Sequence, residues 1–444
     1  MKKSLTLAAA LLLSACSLVS YQPVQTIKQV NPDQGYRMRS TMLKSQEDGN
    51  LVILMFSGGG TRAAALGYGV LEQFKGTPIK GKTLLEQVDM VYGVSGGSVL
   101  ASYFALEGQD VVPKFADKFL TKNFQREVIN QVFSLSNMPR LASPQFGRGD
   151  LLQEQLNRAL YGGKTFGHLA QNRKGPFAVI SATDMNIGQK LTFTQETFDG
   201  LCLNLNDLEI ARAVAASSAV PLVFAPLTLN NNGGNCNFQI PKEYEVREKT
   251  LDGLRVKNVE EVKHLLALYQ NSQERPFIHL VDGGLTDNLG LASLIDMSDV
   301  LGLEQLYEQV QKLKLQNIII ININAQNQVN SEIDKSADIP GLGDVINTVI
   351  NVPIDKTTHA TLRRFREFTD TWNRFSQQQK GKPVPLHFVD LGLKDLPEGD
   401  LKKEVLNIST SFYLPKSDID KLRQSAKILL DNSQTYQDAL KALQ

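Results

Sequence analysis

The chain has 444 residues, with 47 lysines and arginines against 46 aspartates and glutamates, and a formal net charge of +1 at pH 7. That balance speaks against a general nucleic-acid binder and against a protein that holds anionic surfaces by charge alone. Hydrophobic residues make up 42% of the chain, the share of an ordinary globular protein, and no internal repeat or low-complexity tract breaks it up.

Lys2 and Lys3 precede the apolar stretch Leu5 to Leu13, which is too short to span a bilayer as a stable helix and matches the apolar part of a signal peptide. The stretch ends Leu13-Ser14-Ala15-Cys16, which resembles a bacterial lipobox. Residues 1–15 are therefore read as a lipoprotein signal peptide, with cleavage before Cys16 and acylation of its thiol and new amino end. The alternative is an ordinary secretory signal with an incidental cysteine. Ser17 after the cysteine, in place of an aspartate, implies by the same resemblance the outer membrane facing the periplasm. Removing Lys2 and Lys3 leaves 45 basic against 46 acidic residues in the mature chain. Residues 16–48 are polar, carry Pro23, Pro32 and Gly35, and show no clear period. They read as a tether with a root-mean-square reach of roughly 30 Å, and paired acyl chains supply the second anchor that single acylation lacks.

Residues 49–444 read as one large α/β domain, or one plus decorations. Leu51 to Phe56 is a continuous apolar run typical of a strand buried on both faces, and it ends in Ser57-Gly58-Gly59-Gly60-Thr61-Arg62 before a helical pattern, Ala63 to Phe74. Val88 to Tyr92 is a second such run. It leads into Gly93-Val94-Ser95-Gly96-Gly97 and then a helix-like stretch, Ser98 to Leu106. Small residues on both sides of Ser95 suit a sharp strand-to-helix turn that lifts the hydroxyl clear of the sheet, so Ser95 is the candidate nucleophile. The spacing between Gly60 and Ser95 accommodates one strand–helix–strand unit, whose strands are parallel.

Helical patterns follow at 150–160, 300–314, 342–375 and 416–443, and Phe177 to Ala182 and Leu191 to Phe198 read as strands paired around Asn186-Ile187-Gly188. Cys202 and Cys236 are the two cysteines left after Cys16, and in an oxidising compartment such a pair is more often bridged than free. Closing a loop of that length stabilises a fold by roughly 3 to 4 kcal/mol on the chain-entropy estimate. Residues 240–275 are richly charged, with a helix predicted over Val259 to Tyr269, and read as a solvated insertion or a lid.

Phe277 to Val281 is a further strand, ending in Asp282-Gly283-Gly284, so each glycine cluster follows a strand at its carboxyl end. Loops leaving parallel strands at that end share one rim, where open α/β proteins place their sites. Ile318 to Ile323 reads as another strand buried on both faces, and Leu386 to Leu391 as the last one. Phe365, Phe368, Trp372 and Phe375 recur at helical spacing beside four arginines. That pattern is the core face of a docked helix, with a membrane-surface helix as its alternative.

Each residue type suits one task in acyl transfer. Consecutive glycines expose backbone N–H groups for the negative charge of a tetrahedral intermediate, with Gly59 and Gly60 as donors and Gly58 shaping the turn. Arg62 either holds that loop open or adds positive potential. Asp282 takes the Ser95 proton, with Gly283 and Gly284 allowing close approach.

The order SGGGTR, GVSGGS, DGG resembles the patatin-like phospholipase family, in its bacterial lipoprotein branch. The resemblance spans about residues 50 to 300 and includes Ile210 to Pro226, similar to a segment that the family carries between nucleophile and base. Ala63 stands where the family usually places a glycine. The resemblance implies a three-layer α/β/α fold with a central mostly parallel sheet, and a site at the carboxyl ends of the strands. It also implies a Ser95–Asp282 dyad, an oxyanion hole around Gly58, Gly59, Gly60 and Arg62, and phospholipid or lysophospholipid as substrate. Gly93, Gly96 and Gly97 form the nucleophile elbow.

Two other readings stay open from sequence. Ser95, Asp282 and His359 or His387 have the chain order of an esterase triad. An anchored lipoprotein can also be a catalytically idle scaffold. No cofactor or metal is expected: His168, His264, His279, His359 and His387 lack metal spacing, no P-loop lysine follows the glycines, and no calcium loop is present.

Overall fold

The computed structural model describes residues 19–39, 48–240, 253–327, 334–335 and 337–444. The predicted signal peptide and Cys16 lie outside these residues. In chain order, the elements that build the site are β1 (Asn50–Phe56), α1 (Gly60–Gly76), β2 (Met90–Val94), α2 (Gly96–Glu107), α3 (Phe124–Val132), α4 (Arg148–Leu156), β3 (Phe177–Asp184) and β4 (Gln189–Thr192). They continue with α5 (Ile210–Ser217), β5 (Leu227–Asn230), α6 (Gly253–Gln270), β6 (Phe277–Val281), β7 (Asn317–Asn324), α7 (Leu342–Gln378), β8 (Leu386–Gly392) and α8 (Lys416–Asn432).

The eight strands form one mixed sheet in the order β8-β7-β1-β2-β3-β6-β5, with β4 paired to β3 and helices on both faces. Strands β8, β7, β1, β2 and β3 are mutually parallel, as right-handed crossovers through helices require. The apolar runs of β1 and β7 are buried along their length because helices cover both sides of them.

Strand β6 departs from the sequence expectation, since it runs antiparallel to β3 and not with the others. The parallel set ends level with Phe56, Gly93 and Ile180, but β3 continues to Asp184. On that overhang, where β4 also pairs, it meets β6 through just two pairs, Thr183 with Val281 and Asp184 with Leu280. The carboxyl end of β6 therefore arrives at the common rim from the opposite direction. Direction is set by the partner available at the sheet edge, which a five-residue apolar run does not encode.

The second sequence expectation to change is the tether. Residues 19–39 are packed on the body: Val24 and Tyr36 are buried, and Thr26 bridges Leu203. The Tyr36 hydroxyl donates to the Ala178 carbonyl at 3.0 Å and accepts from the Ala178 amide at 2.8 Å, and its ring stacks on Phe177. A phenol thus satisfies the part of β3 that no strand covers. Polar composition hid this strap because its contacts are made largely through hydrogen bonds.

A disulfide joins Cys202 to Cys236 beside the strap. The predicted strand 191–198 is shorter than expected. After β4, Phe193 still donates to Ile180, and Gln195–Gly200 then turns into a helix that buries Phe198. The helix predicted at 300–314 is two, broken at Gly302, and the one at 416–443 breaks at Ser433. In α7, Phe365 packs on Phe388 and Trp372 donates to the Val384 carbonyl, so the aromatic stripe is the docked core face and not a membrane-surface helix.

Helix α6 lies within the charged stretch 240–275. It docks through Tyr269 to Asp184 and through Gln270 to the Gly200 carbonyl. That excursion leaves β5 and returns to β6 through a neck closed by the Asn231 amide and the Pro276 carbonyl, 2.8 Å apart. No described helix is long and apolar enough to cross a membrane.

Candidate active site

Ser95 occupies the turn between β2 and α2 with φ 51° and ψ −123°, a conformation that a non-glycine residue adopts only under external constraint. The constraint is visible. Its amide donates to the Ser217 hydroxyl at 2.8 Å, and its carbonyl accepts from the Ser98 amide and hydroxyl. Gly96 must be glycine because a Cβ there would come within 2.0 Å of the Gly60 carbonyl oxygen, and one on Gly97 within 2.4 Å of the Phe56 oxygen. The elbow and the glycine loop are thus in backbone contact, as the strand register Phe56 to Gly93 requires.

Gly58, Gly59 and Gly60 connect β1 to α1. The Gly58 amide is engaged with the Asn288 carbonyl at 3.0 Å, and the Thr61 amide with the Ser411 carbonyl at 2.8 Å. Between them, Gly59 (φ 134°) and Gly60 (φ 60°) form the N-cap and first position of α1, where amides have no intrahelical acceptor. Arg62 is buried. It donates through Nε to the Ala325 carbonyl at 2.7 Å and through a terminal nitrogen to the Ile408 carbonyl at 2.6 Å. It therefore fastens the loop to the end of β7 and to the segment before α8. Burial lowers its pKa to about 10, partly opposed by the nearby Asp355 carboxylate.

Asp282 follows β6 and is buried. Its Oδ2 accepts from the Ser95 hydroxyl at 2.8 Å, and its Oδ1 from the Gly284 amide at 2.8 Å. Its own amide donates to the Ala219 carbonyl, the Gly283 amide donates to the Ser217 carbonyl, and the Thr183 hydroxyl donates to the Asp282 carbonyl. Desolvation raises the carboxyl pKa to about 6 against the lowering effect of the Gly284 amide and the Ser95 hydroxyl.

Three of these anchoring residues, Ser217, Asn288 and Thr183, were not singled out from sequence. Only Ser217 carried a signal, as part of Ile210 to Pro226, and a serine within a run of alanines reads as close packing.

Ser95, Asp282, the three glycines and Arg62 line one cavity of about 690 Å³. Its other walls are mostly apolar, with Val128, Phe133, Phe224, Ile350 and Ile354 among them, and Asp355, Gln326 and Arg148 add polarity. None of the five histidines lines it. His359 is exposed on α7, and His387 sits on β8 at the sheet's outer edge, two strands from β1. The triad order is therefore not realised in space: the acid contacts the serine with no imidazole between them. No described residue of 253–275 lines the cavity. Among the described residues no cluster of three or more metal-ligating side chains occurs.

The family model described as patatin-like phospholipase matches residues 54–295. No curated protein matches the chain. Among solved structures, human GIVD cytosolic phospholipase A2 aligns at 13% identity and a TM-score of 0.43, over 92% of this chain and 63% of its own. This chain thus spans less than two thirds of that enzyme. VipD from Legionella pneumophila aligns at 11% identity and a TM-score of 0.30, over 97% of this chain and 72% of its own. Full-length ExoU of Pseudomonas aeruginosa, in complex with SpcU, aligns at 14% identity and a TM-score of 0.24, over 96% and 98%.

Proposed function

The chain belongs to the patatin-like phospholipase family, and from that premise we propose that it is a lipid acyl hydrolase working through an acyl-enzyme on Ser95. Its substrates are the carboxylic esters of phospholipids or lysophospholipids. The observation that carries the reading is the 2.8 Å hydrogen bond from the Ser95 hydroxyl to the buried Asp282 carboxylate, inside a largely apolar cavity.

In this mechanism the Ser95 oxygen attacks the ester carbonyl carbon as its proton passes to Asp282. The carbonyl electron pair moves onto oxygen, where the Gly59 and Gly60 amides receive it at the positive end of α1. Collapse of the tetrahedral adduct breaks the bond to the alcohol, and the proton on Asp282 moves to the departing oxygen. Water then gives a proton to Asp282 and its oxygen to the acyl carbon. A second collapse releases the fatty acid and returns the proton to Ser95. A carboxyl raised to about 6 is a stronger base than an ordinary aspartate and is still ionised at neutral pH. Arg62, spent on two carbonyls, holds the loop in shape.

The proposal extends to the chain's place in the cell. Residues 1–15 are a lipoprotein signal peptide, Cys16 carries the lipid, and the hydrolase domain from residue 49 works at the bacterial envelope, on the outer membrane facing the periplasm. The mass of the amino-terminal peptide from the processed protein tests this, since acylation adds a diagnostic increment at Cys16.

A fluorophosphonate probe followed by mass mapping tests the chemistry. The label is expected on Ser95, and Ser95→Ala is expected to lower phospholipid turnover at least about a thousandfold. Labelling at another residue, or full turnover in that variant, rejects the assignment. Absence of any labelling is the outcome that an idle scaffold would give.

A further inference from the structure

We infer that the face onto which the Ser95 cavity opens is a membrane-docking surface, a sparsely charged apolar rim that rests on lipid close to Val19, the first described residue of the N-terminal segment. This deepens the lipid-hydrolase reading and rests on it for the identity of the surface.

The first observation is where the apolar exposure falls. Of fourteen large hydrophobic side chains exposed among the described residues, seven line the cavity or lie within two residues of one that does. Phe133 (79% exposed) and Leu135 (84%) follow α3, Leu222 and Val223 precede β5, and Leu342 (78%) and Val349 (67%) lie on the first turns of α7. Scattered exposed hydrophobics are ordinary, but a concentration of them beside one opening is not.

The second observation is charge. The sequence has no charged residue between Glu127 and Arg140, between Arg212 and Lys242, between Asp344 and Asp355, or between Glu404 and Lys416. Those four runs come from distant parts of the chain and meet at one mouth, in a protein of which 21% is charged. Such a rim suits the acyl and glycerol levels of a bilayer, and the exposed Arg148 in the cavity lining stands ready for a headgroup phosphate.

The third observation is the path of the N-terminal segment. The Val19 carbonyl accepts from the Ser143 hydroxyl at 2.7 Å, and the Tyr21 amide donates to the Gln145 side chain at 2.8 Å. Ser143 and Gln145 lie between the exposed run at 133–138 and Arg148, which lines the cavity and donates to the Leu222 carbonyl. Cys16 is three residues upstream of Val19, and three extended residues span at most about 11 Å. A lipid on Cys16 therefore enters the bilayer next to the rim, and an anchor so close to the mouth turns the mouth toward the leaflet that holds it. The substrate's acyl chain then passes from bilayer to cavity across apolar surface, without entering water.

The test uses the full-length processed protein carrying Ser95→Ala, with a polarity-sensitive fluorophore on a single added cysteine and phosphatidylcholine vesicles with or without brominated acyl chains. Probes at Leu135→Cys and Leu342→Cys are expected to shift to the blue and to be quenched about twofold or more by the brominated lipid, with little change on adding salt. A probe at Lys80→Cys, in the turn that follows α1 at the far end of the sheet, is expected to report water. Probes at 135 and 342 as wet as the one at 80 would overturn the inference, as would a blue shift that depends on protein concentration and not on vesicles, the sign of a second copy on the rim.

A kinetic arm uses Leu135→Ser/Leu222→Ser/Leu342→Ser on the active enzyme. Turnover of vesicle phospholipid is expected to fall about tenfold while a dispersed short-chain ester is hydrolysed as before. Equal loss on both substrates, or no loss on vesicles, counts against the docking surface. The fluorescence arm contains no active serine, so failure of the catalytic assignment leaves it readable.

Discussion

Asp282 is a carboxylate held away from water by the fold and recharged by two hydrogen bonds. In the unfolded chain its pKa is the ordinary value near 3.9, and in the folded chain it is about 6. Between those values the folded state binds the proton more tightly. This group therefore favours folding at low pH, and its contribution is lost as pH rises through the folded pKa, leaving a cost at pH 7 of order 1 to 3 kcal/mol. Two outcomes follow. Hydrolysis is expected to fall with a single-proton dependence below about pH 6, read from kcat/KM against pH. Asp282→Asn is expected to unfold at higher denaturant at pH 7, by about 1 to 2 kcal/mol, while its turnover drops by about a thousandfold or more.

Ser217 stands beside this pair. Its hydroxyl accepts from the Ser95 amide and its carbonyl from the Gly283 amide, so one residue sets the distance between the Ser95 and Asp282 side chains. Ser217→Ala is expected to lower kcat about ten- to a hundredfold with KM little changed, because the strained turn loses its partner and the substrate walls do not. Ser95 and Asp282 were legible in the sequence because glycines crowd around them for steric reasons. Ser217 was not, since its role depends on which backbone amide happens to meet it.

At the scale of the element, what was legible was burial and what was not was direction. The runs LVILMF and IIIINI read as strands covered on both faces, and the helices after the first two glycine clusters read from their apolar pattern. The orientation of β6 and the existence of β5 depended on the overhang of β3, a feature of the assembled sheet. The strap was missed for a related reason, because most of what it offers the body is hydrogen bonding. Tyr36→Phe isolates that contribution. It removes one hydroxyl and leaves the Ala178 amide and carbonyl without their partner, so stability is expected to fall by about 1 to 3 kcal/mol in denaturant unfolding, with ester hydrolysis retained.

For the molecule as a whole, the hydrophobic core is continuous from the strap to the last helix, and the site lies where the two glycine loops and the late-arriving β6 meet on it. The disulfide ties the segment after β4 to the turn after β5, and neither cysteine lines the cavity. Replacing both cysteines by alanine is expected to lower the unfolding free energy by about 2 to 4 kcal/mol without changing kcat, measured under oxidising conditions against the parent. The sequence resolved the pair as candidates for bridging, but their meeting depends on the turn around Asn232 folding back onto Leu201.

The neck at Asn231 and Pro276 has a consequence of its own. A strand pair that is antiparallel leaves and rejoins the sheet at the same place, so the chain between the two ends can be lengthened without moving the frame that aims Asp282, as long as Tyr269 keeps its bond to Asp184. Such a port tolerates cargo: a reporter module whose termini lie close together can be spliced into the excursion and the chemistry next door will go on as before.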